Sequence, residues 1–225
     1  MQHMESELAG LKEKLLRMAS YAEASVRGAV QALVARDYEL ALRVRNEDRA
    51  IDRFEIEVDE LAIQLLAKAP FATDLRLITV AMKISQNLER VGDEATQIAK
   101  RALDLSQEPP LKLVVEVPQM ANLALQMLKS ALDSFVNHDP AAARALIPQD
   151  KQVDAMNKEI HCQLVAQMVQ SPDTISRCLN LMVVAKSLER IADHAKSVAE
   201  EVVYFCEARD IRHPGEVNLA PAPQA

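Results

Sequence analysis

The chain has 225 residues, of which 49% are hydrophobic and only 3% aromatic, with four glycines and no tryptophan. This composition favours long helices over sheets. The formal net charge of −7, without any basic block along the chain, argues against nucleic acid as a partner.

Apolar residues recur at helical spacing through most of the chain and predict six helices. Their starts are expected at Thr73, which can cap the third helix, at Asp139-Pro140 for the fifth and at Ser171-Pro172 for the sixth. No segment alternates with a period of two for long enough to predict a sheet. In chain order the helices are predicted over residues 5–35, 38–68, 74–106, 117–137, 140–170 and 172–209.

One short segment occurs twice, one hundred residues apart: LERVGDEA at residues 88–95 returns as LERIADHA at residues 188–195. Because a repeat of this length matches a small helical domain rather than a solenoid unit, we predict an all-α fold of two tandem, pseudo-symmetric three-helix bundles. The first bundle is expected over residues 1–110 and the second over residues 111–212, with Pro109-Pro110 in the linker. Residues 213–225 are expected to form a disordered tail.

The cysteines and the N-terminus predict a cytoplasmic protein. Cys162, Cys178 and Cys206 are odd in number and unclustered, which is typical of buried thiols in a reducing compartment. The N-terminus lacks the charged and apolar regions of a signal peptide, and no run of about 18 apolar residues follows it. We therefore expect the protein to reach a membrane only through its partners.

Each copy of the repeated segment carries two acids four positions apart, Glu89 and Asp93 in the first copy and Glu189 and Asp193 in the second. Residues four apart are neighbours on one helix face, so each pair places two carboxylates side by side. Both pairs lie on the face turned away from the apolar seam.

The second and fifth helices carry matching polar stripes beside their apolar seams. Oxygen ligands from two adjacent helices suit hard divalent cations, and a histidine admits zinc or iron. We interpret the stripes and the acid pairs as metal sites, with Mg, Mn, Zn or Fe as candidates. The alternative is a solvated acidic face, which costs only about 0.2 to 0.5 kcal/mol per pair of acids. The stripes read Asp48, Asp52, Glu55 and Asp59 in the second helix, and Asp150, Asp154, Asn157 and His161 in the fifth.

Basic residues on the third helix allow two interpretations. Arg76, Lys83 and Arg90 recur every seven residues, so they could pair with the acids or bind an anion such as phosphate. His194, which directly follows the second motif, is expected to be a surface residue rather than a ligand.

The doubled Leu-Glu-Arg-x-x-Asp segment resembles the PhoU family of phosphate uptake regulators, as do Asp74-Leu75-Arg76 and the closing Asp210-Ile211-Arg212-His213. The resemblance implies two similar three-helix bundles with Glu/Asp-x-x-x-Asp motifs that hold metal ions at the surface. Asn157 and His161, which replace the counterparts of Glu55 and Asp59, leave the metal of the second site open. Carried over residue by residue, the resemblance implies a first site at Glu89, Asp93, Asp48 and Asp52 and a second at Glu189, Asp193, Asp150 and Asp154.

The same resemblance implies a cytosolic adaptor, often a homodimer, that represses phosphate-starvation signalling when phosphate is plentiful. The expected partners are the ATPase subunit of the phosphate ABC transporter and the phosphate-sensing histidine kinase. No catalysed reaction is expected.

Two other functions stay open at the level of the sequence. A helical adaptor of an unrelated pathway, with or without metal, would share the predicted fold. A di-iron carboxylate enzyme would need two Glu-x-x-His motifs that face a four-helix core. No Glu in this chain is followed by His three positions later, so the enzyme is the weaker alternative.

Overall fold

The computed structural model describes residues 2–69, 71–111 and 116–212. Within these ranges the chain is helical apart from short connections, and no strand occurs, as the all-α prediction requires. Two 3₁₀ turns, Ile147–Gln149 and Pro172–Thr174, precede the seventh and eighth helices. In chain order the helices are α1 (Gln2–Ala35), α2 (Tyr38–Glu47), α3 (Arg49–Leu66), α4 (Ala72–Ser106), α5 (Val117–Asn137), α6 (Pro140–Leu146), α7 (Asp150–Gln170) and α8 (Ile175–Glu207).

The six predicted helices are present, but the second and the fifth are each interrupted. Asp48 separates α2 from α3 while keeping helical backbone angles, φ −50° and ψ −39°. Ile147–Gln149 separates α6 from α7, which begins at Asp150. The first interruption therefore lies at the first acid of a polar stripe, and the second lies directly before it.

The helix starts agree with the sequence only in part. Asp139 caps α6 as predicted, because its carboxylate accepts hydrogen bonds from two backbone amides of that helix. The prediction that Thr73 caps the third long helix is wrong. Helix α4 begins at Ala72, and Phe71 at the cap position makes no side-chain hydrogen bond. Ser171 also makes no side-chain cap bond. Asp37, which the sequence analysis missed, caps α2 through the amide of Leu40.

The two helices that carry the repeated segment lie side by side in the centre. Helices α1, α2 and α3 contact α4, while α5, α6 and α7 contact α8, and α4 contacts α8. Lys83 near the start of α4 bonds Glu201 near the end of α8, and Arg101 bonds Asn180 at the opposite ends. Helices α4 and α8 are therefore antiparallel.

The core explains this arrangement. Leu88 and Val91 of α4 and Leu188 and Ile191 of α8 are fully buried, and complete burial of such a side chain contributes about 1.5 to 3 kcal/mol. One cluster of buried side chains runs through both halves of the described chain. The division into two domains at residue 110 stays a prediction, and the predicted tail, 213–225, lies outside the described residues.

Two further expectations concern the chain's surroundings. None of the helices in the described ranges combines the length and apolar character that a membrane span requires. All three cysteines are free, with Cys178 buried and Cys206 half-buried, but Cys162 is exposed. The expectation of three buried thiols is therefore wrong for Cys162, which lies on a solvent-facing side of α7.

Candidate metal centres

The two copies of the repeated segment meet where α4 and α8 pack together. Arg190 Nη1 donates to Glu94 Oε1 at 3.1 Å, and His194 Nδ1 lies 3.0 Å from Asn87 Oδ1. Burial, opposed by the charge of Glu94, lowers the pKa of His194. His194 is thus a half-buried contact between α4 and α8, not the surface residue that the sequence predicted.

An open groove of about 390 Å³ lies over this contact. Three of its lining residues are acids and two are arginines, both of which are paired with an acid, Arg190 with Glu94 and Arg90 with Glu89. The groove is therefore a poor site for phosphate, and ion pairing also accounts for Lys83, which bonds Glu201. The lining residues are Arg90, Asp93, Glu94, Arg190, Asp193 and His194.

The first cluster of carboxylates lies between the α2–α3 junction and α4. Gly92 lets these segments approach closely, because a Cβ atom added there would lie 2.8 Å from Ile51 Cδ1 and 3.3 Å from Asp48 Oδ1. Asp48 consequently lies against α4 next to the motif acid Asp93. We call this set the first cluster; it comprises Asp48, Asp52, Glu55, Asp59, Glu89 and Asp93.

Burial and mutual repulsion together raise the pKa values of acids in the first cluster. Burial, followed by the charges of Asp93 and Glu55, raises the pKa of Glu89 to about 7. Burial and the charges of Asp52 and Asp93 likewise raise the pKa of Asp48, partly offset by the neighbouring Thr96 hydroxyl. These acids are therefore close enough to disfavour one another's charged forms, and a bound cation would relieve that repulsion.

The second cluster lies between α7 and α8 and comprises Asp150, Asp154, Glu189 and Asp193. Burial, then the charges of Asp150 and Glu189, raises the pKa of Asp193. Two lysines compensate this cluster: Lys196 Nζ donates to Asp150 Oδ2 at 2.9 Å, and Lys186 pairs with Glu189. The hydrogen bond to Asp150 raises the pKa of Lys196.

The second cluster also contains buried acceptor atoms that have no hydrogen-bond partner in the described part of the chain. Asp150, whose side chain is 7% exposed, has one such oxygen, Oδ1, whereas the buried Oε2 of Glu189 lies 2.5 Å from Lys186 Nζ. Asn157 Oδ1 and His161 Nε2, further along α7, are likewise buried without a hydrogen-bond partner among the described residues. Buried acceptors of this kind normally bind a donor, a water or an ion, so the donor set fits a cation.

Neither cluster is arranged as a finished metal site. Among residues 2–69, 71–111 and 116–212, no group of three or more His, Cys, Asp or Glu side chains is placed to hold a metal ion. The eight predicted ligands are thus brought into two neighbourhoods, one per half, and their side chains would have to rotate to coordinate a cation.

The sequence analysis missed the partners of these acids. Thr96 and Lys196 follow Asp93 and Asp193 by three positions, which places each on the same helix face as the motif acid. Lys186 lies three positions before Glu189 and was missed for the same reason. A position-by-position comparison of the two copies could have found the Thr96 and Lys196 difference.

A comparison with known families decides the identity of the fold. A family model described as PhoU domain matches the chain twice, at residues 15–102 and 117–202. The chain belongs to the PhoU family. Each match spans one copy of the repeated segment and one of the two clusters.

Curated relatives and solved structures agree with this assignment. A phosphate-specific transport system accessory protein PhoU homolog of Pseudomonas aeruginosa is 39% identical over 97% of this chain and 91% of its own length. The homolog of that name in Pseudomonas putida is 38% identical over 95% of this chain and 84% of its own.

The crystal structure of PhoU from Pseudomonas aeruginosa aligns with a TM-score of 0.88 and 38% identity, covering 91% of this chain and 99% of that one. The crystal structure of the phosphate transport system regulatory protein PhoU from Streptococcus pneumoniae aligns with a TM-score of 0.86 and 27% identity, covering 92% and 99%. The PhoU fold is therefore shared over nearly the whole chain.

The close approach at Gly92 predicts a stability cost for any side chain there. We expect Gly92→Ala to lower the free energy of unfolding by about 1 to 3 kcal/mol, because the new Cβ overpacks the contact with Ile51. Gly10→Ala is the matched control: a Cβ there meets no atom within 4 Å, so it should stabilise helix α1 by about 0.5 to 1 kcal/mol. Urea unfolding followed by circular dichroism measures both, and equal stabilisation by the two changes would contradict the packing described.

The raised pKa of Glu89 predicts a pH dependence in the absence of metal. Between pH 4.5, its ordinary pKa, and about 7, the folded protein holds a proton on Glu89 that the unfolded chain has lost, so stability falls as pH rises through this range. Glu89→Gln should make this fall in the free energy of unfolding smaller by about 1 kcal/mol. The effect is smaller than the full pKa shift would give, because solvent screens the half-buried side chain. Unfolding of chelator-treated protein at pH 5 and pH 7.5 measures it. Glu60→Gln, which alters an exposed acid of α3, is the control, and an unchanged slope in Glu89→Gln would refute the assignment.

Proposed function

We propose that this protein regulates phosphate uptake as an accessory component of a phosphate-specific transport system. The observation that carries the proposal is the 39% identity to an accessory protein of that description over 97% of the chain. The proposed role is negative: the protein represses uptake and phosphate-starvation signalling when phosphate is abundant. It catalyses no reaction in this role.

In this proposal the protein acts in the cytoplasm as an adaptor between two membrane complexes. Its partners are the ATPase subunit of the phosphate ABC transporter and the phosphate-sensing histidine kinase, and it assembles as a homodimer. Exposed aliphatic side chains at the α7–α8 end support a role in protein contacts, since such groups mark interaction surfaces. They are Val165, Val169, Ile175, Leu179 and Val183.

The carboxylate clusters give the proposed adaptor a second property, divalent cation binding. The first cluster has six acids, of which Glu89 pairs with Arg90 at 3.6 Å and Asp48 is acted on by the charge of Lys100, and this oxygen-rich set suits Mg²⁺ or Mn²⁺. The second cluster has four acids and two lysine partners, and His161 and Asn157 nearby also admit Zn²⁺ or iron. A bound cation would neutralise the repulsion among the carboxylates and hold the neighbouring helices together.

The regulatory role is tested in cells that lack this gene and carry a phosphate-starvation reporter. In abundant phosphate we expect high reporter output in the deletion strain and low output when the gene is restored. Unchanged low output in the deletion strain would refute negative regulation. The unrelated-pathway adaptor would then be the function to pursue.

The same strain separates the cation site from the rest of the protein. The double variant Asp52→Asn with Asp93→Asn removes two acids of the first cluster and should fail to silence the reporter. Glu13→Gln, at an exposed position of α1, should silence it like the wild type. Coprecipitation of the wild type with the ATPase and the kinase tests the adaptor role, and recovery of neither partner at high or low phosphate would contradict it.

A further inference from the structure

The two clusters differ in the groups that surround their innermost acid. In the first half, the neutral hydroxyl of Thr96 lies beside Asp48, and the charge of Lys100, one turn further along α4, also acts on this acid. In the second half, the ammonium group of Lys196 donates to Asp150 Oδ2 at 2.9 Å. The two positions are one hundred residues apart, as are the motif acids Asp93 and Asp193. The duplicated frame is thus kept, but in the second half the lysine lies one turn earlier and bonds the innermost acid directly, and Glu200 takes the place of Lys100.

The ion pair between Lys196 and Asp150 is largely shielded from solvent. The Asp150 side chain is only 7% exposed and that of Lys196 34%, so their attraction is less screened than that of a surface pair. A hydrogen bond between two charged groups is about twice as strong as a neutral one. A divalent ion that approaches Asp150 would meet the repulsion of this ammonium group or would have to displace it.

The second cluster nevertheless keeps the capacity to bind a cation. Asp150 Oδ1 is buried without a hydrogen-bond partner in the described part of the chain, and so are Asn157 Oδ1 and His161 Nε2 along α7, whereas Glu189 Oε2 is paired with Lys186. A carboxylate that has lost only one of its two oxygens to Lys196 still offers the other. Asp150 therefore still has an oxygen free to accept a cation, and the ammonium group of Lys196 beside it opposes binding.

We propose that Lys196 serves the second cluster as a tethered cation and so sets its affinity for divalent metal ions well below that of the first cluster. The Thr96 and Lys196 pair makes the two pseudo-symmetric clusters functionally unequal. This inference rests on the cation binding proposed above, and it assigns the lowered affinity of the second cluster to Lys196.

The test exchanges the two residues between the clusters. Full-length protein is stripped with chelator and titrated with Mn²⁺ by calorimetry. Asp93→Asn disables the first cluster, and in that background Lys196→Thr should tighten Mn²⁺ binding at the second cluster by at least about tenfold. In the complementary Asp193→Asn background, Thr96→Lys should weaken binding at the first cluster by at least about tenfold.

Two controls separate the tethered charge from other effects. Lys196→Arg keeps the charge and should keep the weak binding, whereas Lys151→Thr removes an exposed lysine next to Asp150 and should change the affinity less than about threefold. Since Lys196→Thr leaves Asp150 without its donor, thermal unfolding with and without Mn²⁺ is measured in parallel. The ion should restore the stability lost in this variant. If the variant does not fold, Thr96→Lys decides the inference at the first cluster.

The outcomes distinguish this inference from the proposed function. Equal Mn²⁺ affinities before and after both exchanges, with binding at the first cluster intact, would overturn the role of Lys196 alone. If the unaltered first cluster binds no Mn²⁺, the cation binding proposed above is overturned. In that case the comparison between the two clusters fails, and this inference is overturned with it.

Discussion

The antiparallel packing of α4 against α8 is the constraint on which the remaining structure depends. Both helices bury a complete face of Leu, Ile, Val and Ala side chains, so neither can shift without opening the core, and each holds three other helices in place. The contact is closed by polar groups as well as apolar ones. Arg190 bonds Glu94 at its centre, and Lys83 bonds the buried Glu201 towards one end.

This packing places the duplicated motif where its two copies face each other, and it pushes the motif acids outward on both sides. On the side of α3, Gly92 allows the α2–α3 junction to lie directly against α4, which crowds the acids and raises the pKa of Glu89 to about 7. On the side of α7, Ala192 stands at the position of Gly92. There Lys196 pairs with Asp150 and Lys186 pairs with Glu189. The two halves share the same arrangement of helices and motif acids, and the residues that differ around the motif give the two clusters different charges.

The helices and the acid pairs could be predicted from the sequence because both depend on local spacing. A period of 3.6 residues and two acids four positions apart are properties of one helix. The partners of those acids could not be predicted in the same way. The bond from Lys196 to Asp150 and the contact between His194 and Asn87 depend on the register between antiparallel helices, which periodicity leaves open. The break between α2 and α3 at Asp48 could not be predicted either, because Asp48 keeps helical backbone angles and no Gly or Pro marks the break.

The central claim is that the first cluster binds a divalent cation more tightly than the second, within a fold common to the PhoU family. Anomalous diffraction from crystals grown with limiting Mn²⁺ tests it directly, because the signal locates the ion. The account predicts a strong peak beside Asp48, Asp52, Glu89 and Asp93 and a weaker peak, or none, between α7 and α8. Equal peaks at both clusters, or a peak only beside Asp150, would contradict it.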